Sequence, residues 1–86
     1  MSTPRCSIVI PAKNEWDSIT AVLLRVSEGV SLSFECLVVV DDDDDPTVES
    51  VAELASGDPR FIVVVNRSGV GPAAAIKAGI RESRAP

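Results

Sequence analysis

The chain has no histidine, and that absence removes imidazole general-base chemistry, Ser-His triads and His-ligated zinc together. Aromatic residues are almost as scarce, with only Phe34, Phe61 and Trp16 present. The core must therefore be built from Val, Ile, Leu and Ala, which suits a parallel sheet covered by helices. Cysteine is limited to Cys6 and Cys36, without a CxxC spacing, so the two are expected as reduced, buried thiols rather than a disulfide or a metal site. Bases are outnumbered by acids, 8 against 13, for a net charge of −5. That balance argues against nucleic acid as the main partner, because such binding depends on Lys and Arg neutralising phosphates. No apolar stretch approaches the ~20 residues of a transmembrane helix. Met1-Ser2-Thr3-Pro4-Arg5 carries no secretory signal, and the expected location is the cytoplasm.

What is present is an apolar but not disordered composition, 45% hydrophobic with a mean hydropathy of +0.23. Eighty-six residues make one small domain at most. Three similar units follow one another along it. Ser7-Ile8-Val9-Ile10 reads as a strand stopped by Pro11. A helix is expected from Glu15 to Glu28, with Asn14 as its N-cap, Ile19, Val22, Leu23, Val26 and Val30 on one face, and Gly29 at its end. Phe34 to Val40 is a second strand. Asp45-Pro46 opens a second helix, with Asp as N-cap and Pro at the first helical position, and Val48, Val51, Ala52 and Ala55 inward. After the Asp58-Pro59 turn, Phe61-Ile62-Val63-Val64-Val65 is the third strand. Gly69-Val70-Gly71 then leads through Pro72 into a helix ending near Ser83, with Ala73, Ile76 and Ile80 expected inward. The order β-α-β-α-β-α calls for a parallel three-stranded Rossmann-like sheet, ordered 3-2-1 and covered on both faces.

The most informative feature lies where Leu37-Val38-Val39-Val40 runs directly into five aspartates, Asp41 to Asp45. Acids at the carboxyl end of a buried strand sit where open α/β sheets bind ligands. Five adjacent carboxylates repel one another, and a cation, a hydrogen-bonded nucleobase or a helix N-terminus would relieve them. The plainer reading is a solvated acidic turn with a helix cap at its end. In the first strand-to-helix turn, Pro11-Ala12-Lys13-Asn14-Glu15, proline fixes the backbone as it leaves the sheet and turns the following amides toward a ligand. Arg60 and Arg67 flank the third strand with the reach to touch a phosphate, although bases there are ordinarily solvated.

Taken together and in order, Ser7-Ile8-Val9-Ile10-Pro11-Ala12-Lys13-Asn14-Glu15, Leu37-Val38-Val39-Val40-Asp41-Asp42, Asp45-Pro46-Thr47 and Gly69-Val70-Gly71-Pro72-Ala73-Ala74 with Gly79 resemble the start of family 2 glycosyltransferases. The last of these segments is similar to that of the polyprenyl-phosphate (dolichol-phosphate) sugar transferases. The resemblance implies that residues 1–86 are a single partial domain, the nucleotide-binding half of a GT-A fold. It implies that Pro11, Lys13 and Glu15 meet the base and ribose of a GDP- or UDP-linked sugar, that Val40 lies near the base, and that Asp42 hydrogen-bonds it. A carboxylate there accepts from an imide or guanine N–H and rejects bases lacking that donor. The implied reaction is sugar transfer to an acceptor such as a polyprenyl phosphate, with Mg²⁺ or Mn²⁺ stabilising the departing diphosphate.

Three departures from the family pattern stand out. Position 13 is usually tyrosine, whose ring packs on the base, whereas Lys13 offers a methylene stem and a charge. Asp43 and Asp44 extend the acid run where Gly, Ser or Thr is usual. The later Asp-x-Asp that holds the metal is not among these residues, nor is the catalytic half. No catalytic residue is therefore assigned, and no tight metal binding is expected of this stretch alone. The resembled fold places its next strand beside the first, so exposed backbone along Ser7–Ile10 is expected to promote self-association.

Two other readings fit parts of the pattern. One is a stand-alone small α/β binding module that uses Asp41 to Asp45 for a cation. The other is a dinucleotide-binding oxidoreductase fragment, from Gly69-x-Gly71-x-x-Ala74. That fingerprint belongs on a first βα unit with an acid about 20 residues later, however, and a tight turn with close helix–sheet packing accounts better for it here.

Overall fold

The computed structural model describes residues 3–67 and 72–85; the Gly69-Val70-Gly71 segment lies outside the described residues. Six elements alternate: β1 (Cys6–Pro11), α1 (Ile19–Gly29), β2 (Phe34–Val40), α2 (Thr47–Ala55), β3 (Phe61–Val65) and α3 (Pro72–Glu82). The strands form one parallel sheet with β2 in the centre, as the βαβ connectivity predicts. Cys6 pairs with Phe34 and Pro11 with Val39 across β1–β2, and Cys36 pairs with Phe61 and Val40 with Val65 across β2–β3.

All of β2 is buried, so its unbroken apolar run reflects burial on both faces. On one face, Ile8, Ile10, Cys36, Val38, Val40, Val63 and Val65 pack with Ile19, Leu23 and Val26 of α1 and Val48, Val51 and Leu54 of α2. On the other, Val9, Val39 and Val64 meet Ala75 and Ala78 of α3. Phe34 and Phe61 meet edge to face near the amino ends of their strands, with their ring centroids 6.0 Å apart. Arg60 stacks over Phe34 at 4.4 Å while its guanidinium binds Asp58, which places it at the end of the sheet away from the aspartate run. The thiols are free as expected; Cys36 is buried and Cys6 half-buried.

The helices differ from expectation in several places. Val22 of α1 and Ala52 of α2, expected inward, are exposed, and Leu54 of α2 packs against the core instead. Helix α1 starts at Ile19 rather than Glu15, and Ser18 rather than Asn14 precedes it. The backbone of Asn14 is left-handed (φ 55°), which asparagine tolerates better than most residues but which cannot lead directly into a helix. A turn intervenes, in which the Glu15 carbonyl accepts the N–H groups of both Ser18 and Ile19.

The inward face of α3 is also not the expected one. Ile76 and Ile80 are 42% and 60% exposed, while Ala75, Ala78 and Gly79 face the sheet; the Ala73 side chain lies outside the described residues. The cause is close approach. A Cβ at Gly79 would stand 2.3 Å from Val9 Cγ1 and 3.1 Å from Val39 Cγ2, so only the smallest residues fit on this side and the isoleucines turn to the flank.

Candidate functional site

The loops after β1 and β2 meet at the carboxyl end of the sheet, and their hydrogen bonds make them one unit. Asp45 is the centre of it. Its Oδ1 accepts the Thr47 N–H at 2.9 Å, and its Oδ2 accepts the Asn14 N–H at 2.8 Å from the other loop. The first bond is the side-chain cap expected of Asp45, two residues ahead of the start of α2 at Thr47, with Pro46 in helical backbone between them (φ −61°). The second bond uses the left-handed turn at Asn14. Thr47, completely buried, adds a parallel link by accepting the Glu15 N–H on its Oγ1 at 2.8 Å. Ser50 donates to the Trp16 carbonyl at 3.0 Å and ties the next turn down. Burial works against the Asp45 charge, but the N–H groups of Thr47 and Asn14, the Thr47 hydroxyl and the nearby Lys13 charge outweigh it and hold the carboxyl below its ordinary value.

Asp42 shapes the rest of the acidic loop. Its Oδ1 accepts the Asp44 N–H at 2.9 Å and its carbonyl accepts the Asp45 N–H at 3.1 Å, the pattern of an Asx turn. The Asp42 side chain remains exposed, and its Oδ2 has no partner among the described residues. Asp41 accepts from Asn66 Nδ2 at 3.2 Å, and the Asn66 N–H closes on the Val40 carbonyl at 2.7 Å, which joins the end of β3 to the same platform. Arg67 approaches Asp43 at 3.8 Å in an exposed ion pair that contributes little to stability.

The residues singled out from sequence therefore gather at one end of the sheet. Pro11 ends β1 and is exposed, as are Lys13 and Glu15 just beyond it. The Glu15 carboxylate accepts from Ser18 Oγ at 2.9 Å and stays at the surface. Val40 differs: its side chain is fully buried in the core, and what it offers at this end is backbone. Sequence reasoning missed Thr47 as a cross-loop acceptor, the second bond of Asp45, and Asn66. The visible signals were a hydroxyl placed directly after Asp-Pro and an amide directly after a strand.

The ligating capacity of the acidic loop is limited. Asp42, Asp43 and Asp44 can each offer one oxygen within 4.8 Å of the others, and all three are exposed. Hard carboxylate oxygens suit Mg²⁺ or Mn²⁺. With one Asp42 oxygen held by a backbone amide, they make an open acidic surface rather than an enclosing cage.

A family model described as glycosyl transferase family 2 matches residues 7–86. The chain belongs to that family. It is also 30% identical over 90 residues to a dolichol-phosphate mannosyltransferase from Mycosarcoma maydis, an alignment that covers 96% of this chain. The chain spans only 31% of that relative's length. Membership in the family supports glycosyl transfer, and the parallel α/β sheet is consistent with the domain that the family shares. Among the described residues, no helix is long and apolar enough to cross a membrane.

Proposed function

We propose that this chain is the nucleotide-recognition half of a family 2 glycosyl transferase, taking the nucleoside diphosphate of a GDP- or UDP-linked sugar at the carboxyl ends of β1 and β2. One observation carries the reading: the side-chain oxygens of Asp45 and Thr47 bind the two loops together by accepting the Asn14 and Glu15 amides, and leave the side chains of Lys13, Glu15 and Asp42 exposed on the same platform. Asp42 is the residue for the base. Its outward carboxylate oxygen accepts an imide or guanine N–H, and it rejects a base that presents only acceptors there. Lys13 supplies a methylene stem and a positive charge where a nucleotide brings an apolar ring and phosphates. Pro11 and the buried Val40 set the backbone that borders this platform. The sugar passes to an acceptor, with a polyprenyl phosphate favoured by the mannosyltransferase relative. In that reaction Mg²⁺ or Mn²⁺ would neutralise the departing diphosphate, and the exposed oxygens of Asp42 to Asp44 are what this chain can contribute toward it.

Calorimetry with UDP and GDP tests the assignment. Weak binding is expected, and Asp42→Ala should lose on the order of 1.5–3 kcal/mol, the worth of a hydrogen bond to a charged acceptor. Asp42→Asn separates the base contact from the turn, because asparagine supports the same Asx turn without the carboxylate. Equal binding by wild type and Asp42→Asn would remove Asp42 from the site. A cation-binding module is the second reading, favoured by the closeness of the three aspartates. Mn²⁺ binding unaffected by nucleotide, with no nucleotide binding of its own, would select it.

A further inference from the structure

At the opposite end of the sheet, a buried charge holds a segment that the nucleotide site does not use. Glu35, in β2, is 1% exposed. Its Oε2 accepts the Ser7 hydroxyl at 2.6 Å from β1 and also the Arg84 backbone N–H, while its Oε1 accepts Arg84 Nε at 3.0 Å. The Ala85 N–H closes the set on Ser7 Oγ at 3.2 Å. Two pieces of chain distant in sequence from Glu35, Ser7 in β1 and Arg84 after α3, thus converge on its carboxylate. We propose that Glu35 is a proton-operated latch: ionised, it clamps Arg84 and Ala85 across β1 and β2; neutralised, it releases them.

The surroundings support a switch more than a simple packing contact. Glu35 opens onto a groove of about 420 Å³ floored by Leu37, Ile62 and Val64. Besides Glu35, the charged groups lining the groove are Arg84 after α3, Glu82 from α3 itself and Arg67, which reaches it from the far end of β3, while its β3 wall is aliphatic. The Arg84 side chain reaches solvent, with 55% of it exposed, so the clamp can open without unpacking the aliphatic core. Burial opposes ionisation of Glu35, but the bonds from Ser7 and Arg84 outweigh it and keep the carboxyl below its ordinary value. The clamp is therefore closed at neutral pH and opens as pH falls below the ordinary glutamate range. Its release would free the chain leaving α3 and uncover the apolar floor of the groove.

Amide exchange followed by NMR on the 86-residue chain tests this. In Glu35→Gln at neutral pH, the Arg84 and Ala85 amides should exchange at least about tenfold faster, the ratio expected for losing a charge-assisted hydrogen bond, while Val38 and Val39 keep their protection. In the wild type, the Arg84 and Ala85 signals should move together with the Glu35 carboxyl on acidification, before the β2 amides lose protection. Unchanged Arg84 and Ala85 protection in Glu35→Gln would overturn the proposal. If that variant does not fold, the wild-type titration decides, and loss of the segment and the β2 core in a single step would overturn it.

Discussion

Replacing Asp45 by alanine removes two hydrogen bonds that no other side chain can supply. One is the cap of α2, and caps of this kind contribute about 0.5–2 kcal/mol. The other is the 2.8 Å bond from the Asn14 amide, also made to a charged acceptor. Because the carboxylate is only half-buried, water replaces part of what is lost. Together the losses come to about 2–3 kcal/mol, a large share of the roughly 5–15 kcal/mol that stabilises a small domain. At about 4–8 °C per kcal/mol for a domain of this size, Asp45→Ala should melt about 10–20 °C below wild type. Asp45→Asn retains a good cap but loses the charge and one acceptor oxygen, and should fall between the two. The difference depends on pH. The folded carboxyl titrates below the ordinary aspartate value, so its contribution is complete at neutral pH and disappears as pH falls through the folded value. Circular-dichroism melts at pH 7 and pH 3 measure both effects. If Asp45→Ala melts within 2 °C of wild type at pH 7, the link between the loops is not what holds this end of the sheet together.

Other outcomes follow from particular contacts. Gly79→Ala should gain up to about 1 kcal/mol of helix propensity but lose about 1–3 kcal/mol to overpacking against Val9, for a net loss in urea denaturation. Gly29→Ala, with nothing within 4 Å of the added carbon, should be neutral or slightly stabilising, and equal behaviour of the two would contradict the close approach of α3. The Cys36 thiol, pushed up to about 11 by burial, should resist alkylation at pH 8 until the chain unfolds, whereas half-buried Cys6 reacts first; mass spectrometry of the labelled peptides distinguishes them. Strand β1 lies at an edge of the sheet. Even-numbered β1 residues turn toward β2, since Cys6 and Ala12 donate to Ser33 and Val39, leaving the Ser7 and Val9 amides on the outer side. Self-association through this edge is expected by light scattering at high micromolar concentration, and a clean monomer would favour a self-sufficient module.

How much of this was legible beforehand depended on whether the determining contact was local. The β2 run could be read because burial on both faces needs only a continuous apolar segment. The cap at Asp45-Pro46 could be read because both partners are neighbours in sequence. The face of α3 could not, because the usual rule sends the largest aliphatic residues inward, and here Val9 leaves room only for Ala75, Ala78 and Gly79. The late start of α1 depends on Asp45, which takes the Asn14 amide from 31 positions away. Glu35 was hidden for the same reason, since its partner Arg84 lies 49 positions downstream. At the site itself, the exposed acids announced themselves, while the buried hydroxyl of Thr47 that organises them did not.

In the proposed function, the joined ends of β1 and β2 receive a nucleoside diphosphate. An NMR titration of the isotopically labelled chain with UDP and GDP, with and without Mn²⁺, tests this binding residue by residue. Shifts concentrated on Lys13 to Glu15 and Asp41 to Asp45, and lost on those residues in Asp42→Ala, are the expected result. Shifts confined to the groove of Glu35, Ile62 and Arg84, or none at all at millimolar nucleotide, would contradict it.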